Sequence, residues 1–130
     1  MLAKILDVKK EFPTEKDSNE STVFFVIGKV KLHAFYDGRD FFPNKEKNIR
    51  LLSFEVNSID ERTMLGNSKK EKKLVPEGEW SYLGYGQIIS HNPTIVDFGG
   101  VNLEIGLDAD ASSIGQFIVW KIDRLDIIPE

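Results

Sequence analysis

The side chains able to move a proton near neutral pH are two histidines, His33 and His91, in a chain of 130 residues that holds no cysteine. His91 lies in the turn-forming run Ser90-His91-Asn92-Pro93-Thr94, and Asp97 follows closely enough to meet it across a hairpin, the pairing a general base needs. No serine at a nucleophile elbow stands nearby, so the preferred reading is a solvated turn histidine. His33 alternates with Lys29 and Lys31 and reads as the polar side of a strand. Asp108 and Asp110 in LDADASS share the alternate spacing of calcium-loop ligands, but Ser112, Ser113 and Val119 then stand where a ligand, a glycine and a glutamate are required. A cap by Asp110 or Ser112 on a single turn before Gly115 explains the run better. Gly84–Ile88 is followed by no lysine-serine pair and opens no helix, which excludes a phosphate loop. Glu55 and Asp97 are carboxylates that a barrel interior could hold, without a paired motif to support catalysis. A carboxylate enzyme is therefore the least favoured reading, and no metal, cofactor or catalytic residue is expected.

The aromatics are more informative. Trp80, Tyr82 and Tyr85 sit in a glycine-interrupted strand, where rings either pack in a core or line a ligand surface. Core packing is expected for Trp80 and Trp120, and a partner-facing role for Tyr82 or Tyr85.

The elements that must position these groups read as strands. Thr22 to Tyr36 is β-branched, aromatic and free of proline, and predicts one long strand bent at Gly28. Phe24, Val26, Val30, Leu32 and Ala34 are expected on its inner face, with the first half buried on both sides. Arg50 to Ser58 predicts a strand with Leu52, Phe54 and Val56 inward. Ala3 to Val8 is the first strand, with Ile5 inward, and Trp80 to Ser90 another. Thr94 to Phe98 and Val101 to Ile105 flank Gly99-Gly100, a dipeptide suited to a tight hairpin because both positions tolerate positive φ. Gln116 to Ile128 places Ile118, Trp120 and Ile122 inward before Leu125 and Ile127 take over, an odd step that predicts a bulge near Asp123. Pro13–Ser21, Asp37–Lys47 and Gly66–Gly78 read as loops, and Ser58 with Glu61 has capping-box spacing for a short helical turn that brings Met64 and Leu65 over a barrel end. Six to seven strands with at most one short helix predict an all-β domain spanning residues 1–130, an antiparallel Greek-key barrel of OB-like form.

Composition agrees with one folded domain: apolar residues make up 41% and charged residues 29%, enough for a core and too balanced for disorder. The N-terminal run lacks a secretory h-region and no stretch approaches the ~20 apolar residues of a membrane span, so a cytoplasmic protein without membrane contact is expected. Net charge is −4, and the 2 basic against 7 acidic side chains of residues 80–130 disfavour polyanions there. The basic run Lys69, Lys70, Lys72, Lys73 reads as a solvated loop. Exposed strand edges leave a homodimer open.

Gly86 with Ile88 and Ile89, then Ile95, Val96, Phe98 and Gly99, then Gly115 with Phe117, Val119 and Ile122, follow a glycine–strand–turn–strand order. In this layout the C-terminal half resembles the S1-type members of the OB-fold barrels. The resemblance implies single-stranded nucleic-acid binding through exposed rings and cations, with Phe117, His91, Lys121 and Arg124 as the matching residues. The acidic balance argues against that function even where the fold carries over. The first expectation is thus a non-catalytic binding module for a protein partner, using Tyr82, Tyr85, His91, Phe117, Lys121 and Arg124, and the second is a single-stranded nucleic-acid binder.

Overall fold

Alternation of buried and exposed side chains, the period a sheet imposes, runs through nearly every strand of the computed structural model, which describes residues 1–54 and 66–130. The strands are β1 (Leu2–Lys10), β2 (Glu20–Ile27), β3 (Val30–Asp37), β4 (Glu46–Phe54), β5 (Lys73–Pro76), β6 (Tyr82–Ser90), β7 (Thr94–Asp97), β8 (Asn102–Ile105), β9 (Phe117–Ile122) and β10 (Arg124–Pro129). A 3-10 turn, Ala111–Ser113, is capped by the Asp110 carboxylate, as expected for this run. The end of the expected strand at Ser58, the helical turn beginning there and Glu55 lie outside the described residues.

Pairing runs β1–β2–β3–β10–β4 and returns from β4 to β1, which closes a five-strand barrel. All of these pairs are antiparallel except β3 with β10. The other strands form a sheet continuous with the barrel: β8 runs parallel to β4, β7 and β6 follow, and β5 and β9 flank β6. Arg50 on β4 and Glu104 on β8 bind through two 2.8 Å hydrogen bonds across that junction. Buried side chains from both regions form one cluster, from Ile5, Phe25 and Leu51 to Phe98, Trp120 and Ile127. Among the described residues no helix is long and apolar enough to cross a membrane.

Three expectations are corrected. Thr22 to Tyr36 is not one bent strand but a hairpin, with Ile27 opposite Val30 across Gly28 and Lys29. Gly28 has φ +59°, the backbone that a two-residue turn with glycine first requires. A straight strand would put residues 27 and 30 on opposite faces, whereas the two-residue turn puts them on the same face. The inner set of β2 is therefore Val23, Phe25 and Ile27, and Phe24 points outward at 37% exposure. On β4 the register with β10, Leu51 opposite Ile127 and Ser53 opposite Leu125, turns Ile49 and Leu51 inward and leaves Phe54 outside at 44% exposure. Both parities of Ile49–Phe54 are apolar, so the partner strand decides. Finally, the S1-like segments β6–β9 lie outside the closed barrel, to which the C-terminal half contributes β10.

Other expectations hold. Ile118, Trp120 and Ile122 are buried, as are Leu125 and Ile127, but Gln116–Ile128 is two strands and not one bulged strand: the parity step at Asp123 is the corner where the chain leaves β6 to pair with β4. Gly99 and Gly100 both have positive φ, and the Phe98 N–H donates to the Val101 carbonyl at 2.9 Å. Among the described residues ten strands replace six or seven, because two long segments each divide and β5 forms within the expected basic loop. Asn67 anchors that loop: its buried side-chain amide donates to the Glu71, Gly86 and Ile118 carbonyls.

Candidate binding groove

The hairpin parity leaves Thr22, Phe24 and Val26 on the outer surface of the barrel, opposite Phe35, His33 and Lys31. Apolar groups outside a closed barrel favour cover, and the β5–β6 connection provides part of it. The Glu77 N–H donates to the Ser81 carbonyl at 3.0 Å, and the intervening chain brings Trp80 against His33 with ring centroids 5.7 Å apart, edge to face. Trp80 is thus half-buried in this wall and not in the core, which corrects the sequence expectation.

His33 is held on three sides. Its backbone N–H donates to the Tyr82 hydroxyl at 3.2 Å, its Nδ1 lies 3.1 Å from that hydroxyl, and its Nε2 lies 2.6 Å from the Glu79 carbonyl. A carbonyl only accepts, so Nε2 carries a proton, and in the neutral ring Nδ1 then accepts the hydrogen bond that the Tyr82 hydroxyl donates. Burial pushes the Tyr82 phenol above its usual range, against a smaller lowering by the His33 backbone bond. Phe24 completes the cluster, 5.8 Å from His33. Tyr82→Phe is expected to keep the fold at a loss of about 1 kcal/mol, and to free the imidazole, seen as greater motion of the His33 ring in NMR relaxation.

At the barrel corner the Arg124 guanidinium lies 4.1 Å from the Phe35 ring centroid and 4.4 Å from that of Phe54. Its Nε and Nη2 donate to the two Asp126 carboxylate oxygens at 2.7 and 3.1 Å. A planar cation fixed by a carboxylate and two rings is rigid, and its stem and face form a wall.

Two hollows follow. One, of about 440 Å³, lies over Thr22, Phe24 and His33, with Lys9 and Lys10 along it. The other, of about 320 Å³, is lined by Glu11, Phe12, Glu20, Phe35, Trp80 and Arg124. Glu11 and Trp80 belong to both, so the hollows join as one groove. The Thr22 hydroxyl donates to Glu11 and fixes that carboxylate at the junction.

The residues expected from the sequence are divided among separate places. Arg124 forms a groove wall, and Tyr82 lies buried beneath it as the support of His33. Tyr85, Phe117 and Lys121 share a different face, on β6 and β9, where Lys73 Nζ lies 4.8 Å from the Tyr85 ring and Lys70 Nζ 5.9 Å from that of Phe117. His91 is exposed in its turn. Asp97 does not meet it: the carboxylate accepts from the Gly99 and Gly100 N–H groups at 2.9 and 3.0 Å and binds Lys72 at 3.0 Å. Among the described residues no three His, Asp or Glu side chains group as a metal site. Phe12, Phe24, Phe35, Phe54 and Trp80 are the functional candidates that sequence reasoning missed. Gly28-Lys29, a turn dipeptide in the middle of an otherwise unbroken strand pattern, was the signal that could have found Phe24 and Phe35.

Partial burial opposes ionisation of Asp97, but the Gly100 bond, Lys72 and the Gly99 bond outweigh it and hold the carboxyl below its usual range. A depressed folded value gives stability that is complete above the unfolded carboxylate range and is lost as pH falls through the folded value. Asp97→Asn is accordingly expected to lower stability at neutral pH and to flatten its acid limb below about pH 4, measured by urea titrations across pH. An unchanged acid limb would show that the pair with Lys72 is solvent-screened.

No family model, no curated protein and no solved structure matches the chain.

Proposed function

We propose that this chain is a non-catalytic binding module that holds a segment of a protein partner in the groove over β2 and β3. The observation that carries the reading is a joined pair of hollows walled by Phe12, Phe24, Phe35 and Trp80, on the outside of a barrel whose own interior is already filled. Exposed rings held by neighbouring packing make productive contacts because they bury area at small entropic cost. The five-strand barrel is OB-like in this reading, and barrels of that type use the face of their second and third strands for ligands. Lys9, Lys10 and Arg124 stand against Glu11, Glu20 and Glu79 along the groove, a balance that suits a polypeptide better than a phosphate backbone. Immobilised wild-type chain is expected to retain a stoichiometric protein from native lysate, and Phe24→Ala with Trp80→Ala to weaken that capture tenfold or more. Equal capture by the double variant would move the interface elsewhere.

A second reading is supported by the face formed by β5, β6 and β9. Lys70 and Lys73 rest over Phe117 and Tyr85, and Lys121 stands opposite Leu83 on the next strand. Ammonium groups beside rings on adjoining strands suit a single-stranded nucleic acid, since the basic run from one half of the sequence is laid on the sheet of the other. Fluorescence anisotropy with mixed 12-mer oligonucleotides is expected to show binding whose logarithm falls against log salt with a slope of about −2, for roughly three phosphates neutralised. Lys70→Glu with Lys121→Glu should abolish it, and salt-independent binding would reject this reading.

A further inference from the structure

The geometry points to the hollow between Phe12, Phe35 and Trp80 as a subsite for a basic side chain of the partner, an alkylammonium such as that of lysine. The inference rests on the protein-binding reading of the groove and adds the chemistry of the residue that enters it.

Three aromatic side chains and two carboxylates, Glu11 and Glu20, line one space of about 320 Å³. Ring faces attract a cation through their quadrupoles, and nearby carboxylates add charge, a combination that favours an ammonium over an apolar group of the same shape. The one cation in the wall does not reverse this, because Arg124 is already bound by both oxygens of Asp126 and stacked on Phe35. The residues lining this end of the groove carry two negative charges, Glu11 and Glu20, against the one positive charge of Arg124, which Asp126 neutralises. Glu20 also stands directly opposite Asp37 on β3, which extends the negative rim.

The carboxylates are placed by the fold. The Glu11 N–H donates to the Glu20 carbonyl at 2.9 Å at the end of the β1–β2 pair, so the two residues face each other across adjacent strands. Thr22 holds one Glu11 oxygen and leaves the other for a ligand. Phe12, next in sequence, is 46% exposed, which leaves that wall open to an incoming chain. The net charge of −4 favours encounter with a basic partner.

The test is a pair of neutral-stem probes, N-acetyl-lysine methylamide and N-acetyl-norleucine methylamide, titrated into the 15N-labelled chain at low salt and followed by NMR. The lysine compound is expected to shift the Trp80 indole N–H and the Glu11, Glu20 and Phe35 amides with saturation in the millimolar range, and the norleucine compound to bind at least fivefold more weakly. Glu11→Gln with Glu20→Gln should remove the preference between the two, and Asp108→Asn, which removes an exposed carboxylate outside the lining of both hollows, should leave it unchanged. Equal shifts from both probes, or no saturable shift from lysine, overturn the cation subsite. If Phe24→Ala with Trp80→Ala still abolishes partner capture while the lysine probe leaves these signals unmoved, the subsite fails and the groove stands as the protein interface. Loss of both results removes the groove itself.

Discussion

Trp120→Ala is expected to lower the melting temperature by roughly 10–20 °C, read by circular dichroism at matched concentration. Trp120 is the largest of the side chains with no exposure, and it lies opposite Gly84 on β6, where the sheet that extends the barrel meets the common core. Truncating a buried tryptophan costs about 3–5 kcal/mol, because transfer free energy is lost and the cavity only partly collapses. Unfolding entropy of about 2.1 cal/mol/K per residue converts that energy into a shift of this size for a chain of this length. Phe24→Ala, at a ring facing solvent, should move the midpoint far less. A loss below about 1 kcal/mol at Trp120 would mean that the two regions do not share one core.

Gly86→Ala should cost roughly 2–3 kcal/mol although it adds a single methyl group. A Cβ there would lie 2.5 Å from the Asp97 carbonyl oxygen, 2.7 Å from a Val96 methyl carbon and 2.8 Å from the Phe98 ring, so even without the ring the backbone has to move. Gly84→Ala makes a different conflict, since the three atoms nearest its Cβ would all belong to the Phe98 ring, the closest at 2.5 Å. Phe98 occupies the space that these two glycines leave on the inner face of β6. The two sites can therefore be told apart by double-mutant cycles in urea. Phe98→Leu should recover much of the loss at Gly84 and little of the loss at Gly86. Equal rescue at both would contradict the backbone contact.

These contacts explain a pattern that was visible in the sequence without its cause. The run Tyr82-Leu83-Gly84-Tyr85-Gly86 reads as a strand with rings and gaps, and alternation predicts which residues share a face. What fills the gaps is Phe98, a side chain on the far side of a turn, and no local rule names it. The candidate site was legible to a similar extent. Arg124 was singled out as one of few cations in its half, but its value as a groove wall depends on Phe35 and Phe54, which come from β3 and β4. Tyr85, Phe117 and Lys121 do share a face, and the lysines that join them are supplied by a loop anchored through Asn67. The acidic balance of the C-terminal half is a count of the same local kind: charge counted along a chain is not charge counted over a surface. Asp97 is bound to Lys72 and Glu104 to Arg50, so part of that acidity is neutralised by the other half.

By itself the sequence determined that this is an all-β chain, where most strands lie, that Gly99 and Gly100 turn and that the last segment must change parity near Asp123. Each of these follows from period-two burial or from the φ a residue tolerates, both local properties. Only the tertiary structure decided which parity faces inward on β2 and β4, because both parities are apolar there and the choice belongs to a two-residue turn and to a partner strand. That choice put Phe24, Phe35 and Phe54 on the outside of the barrel, and with them the groove.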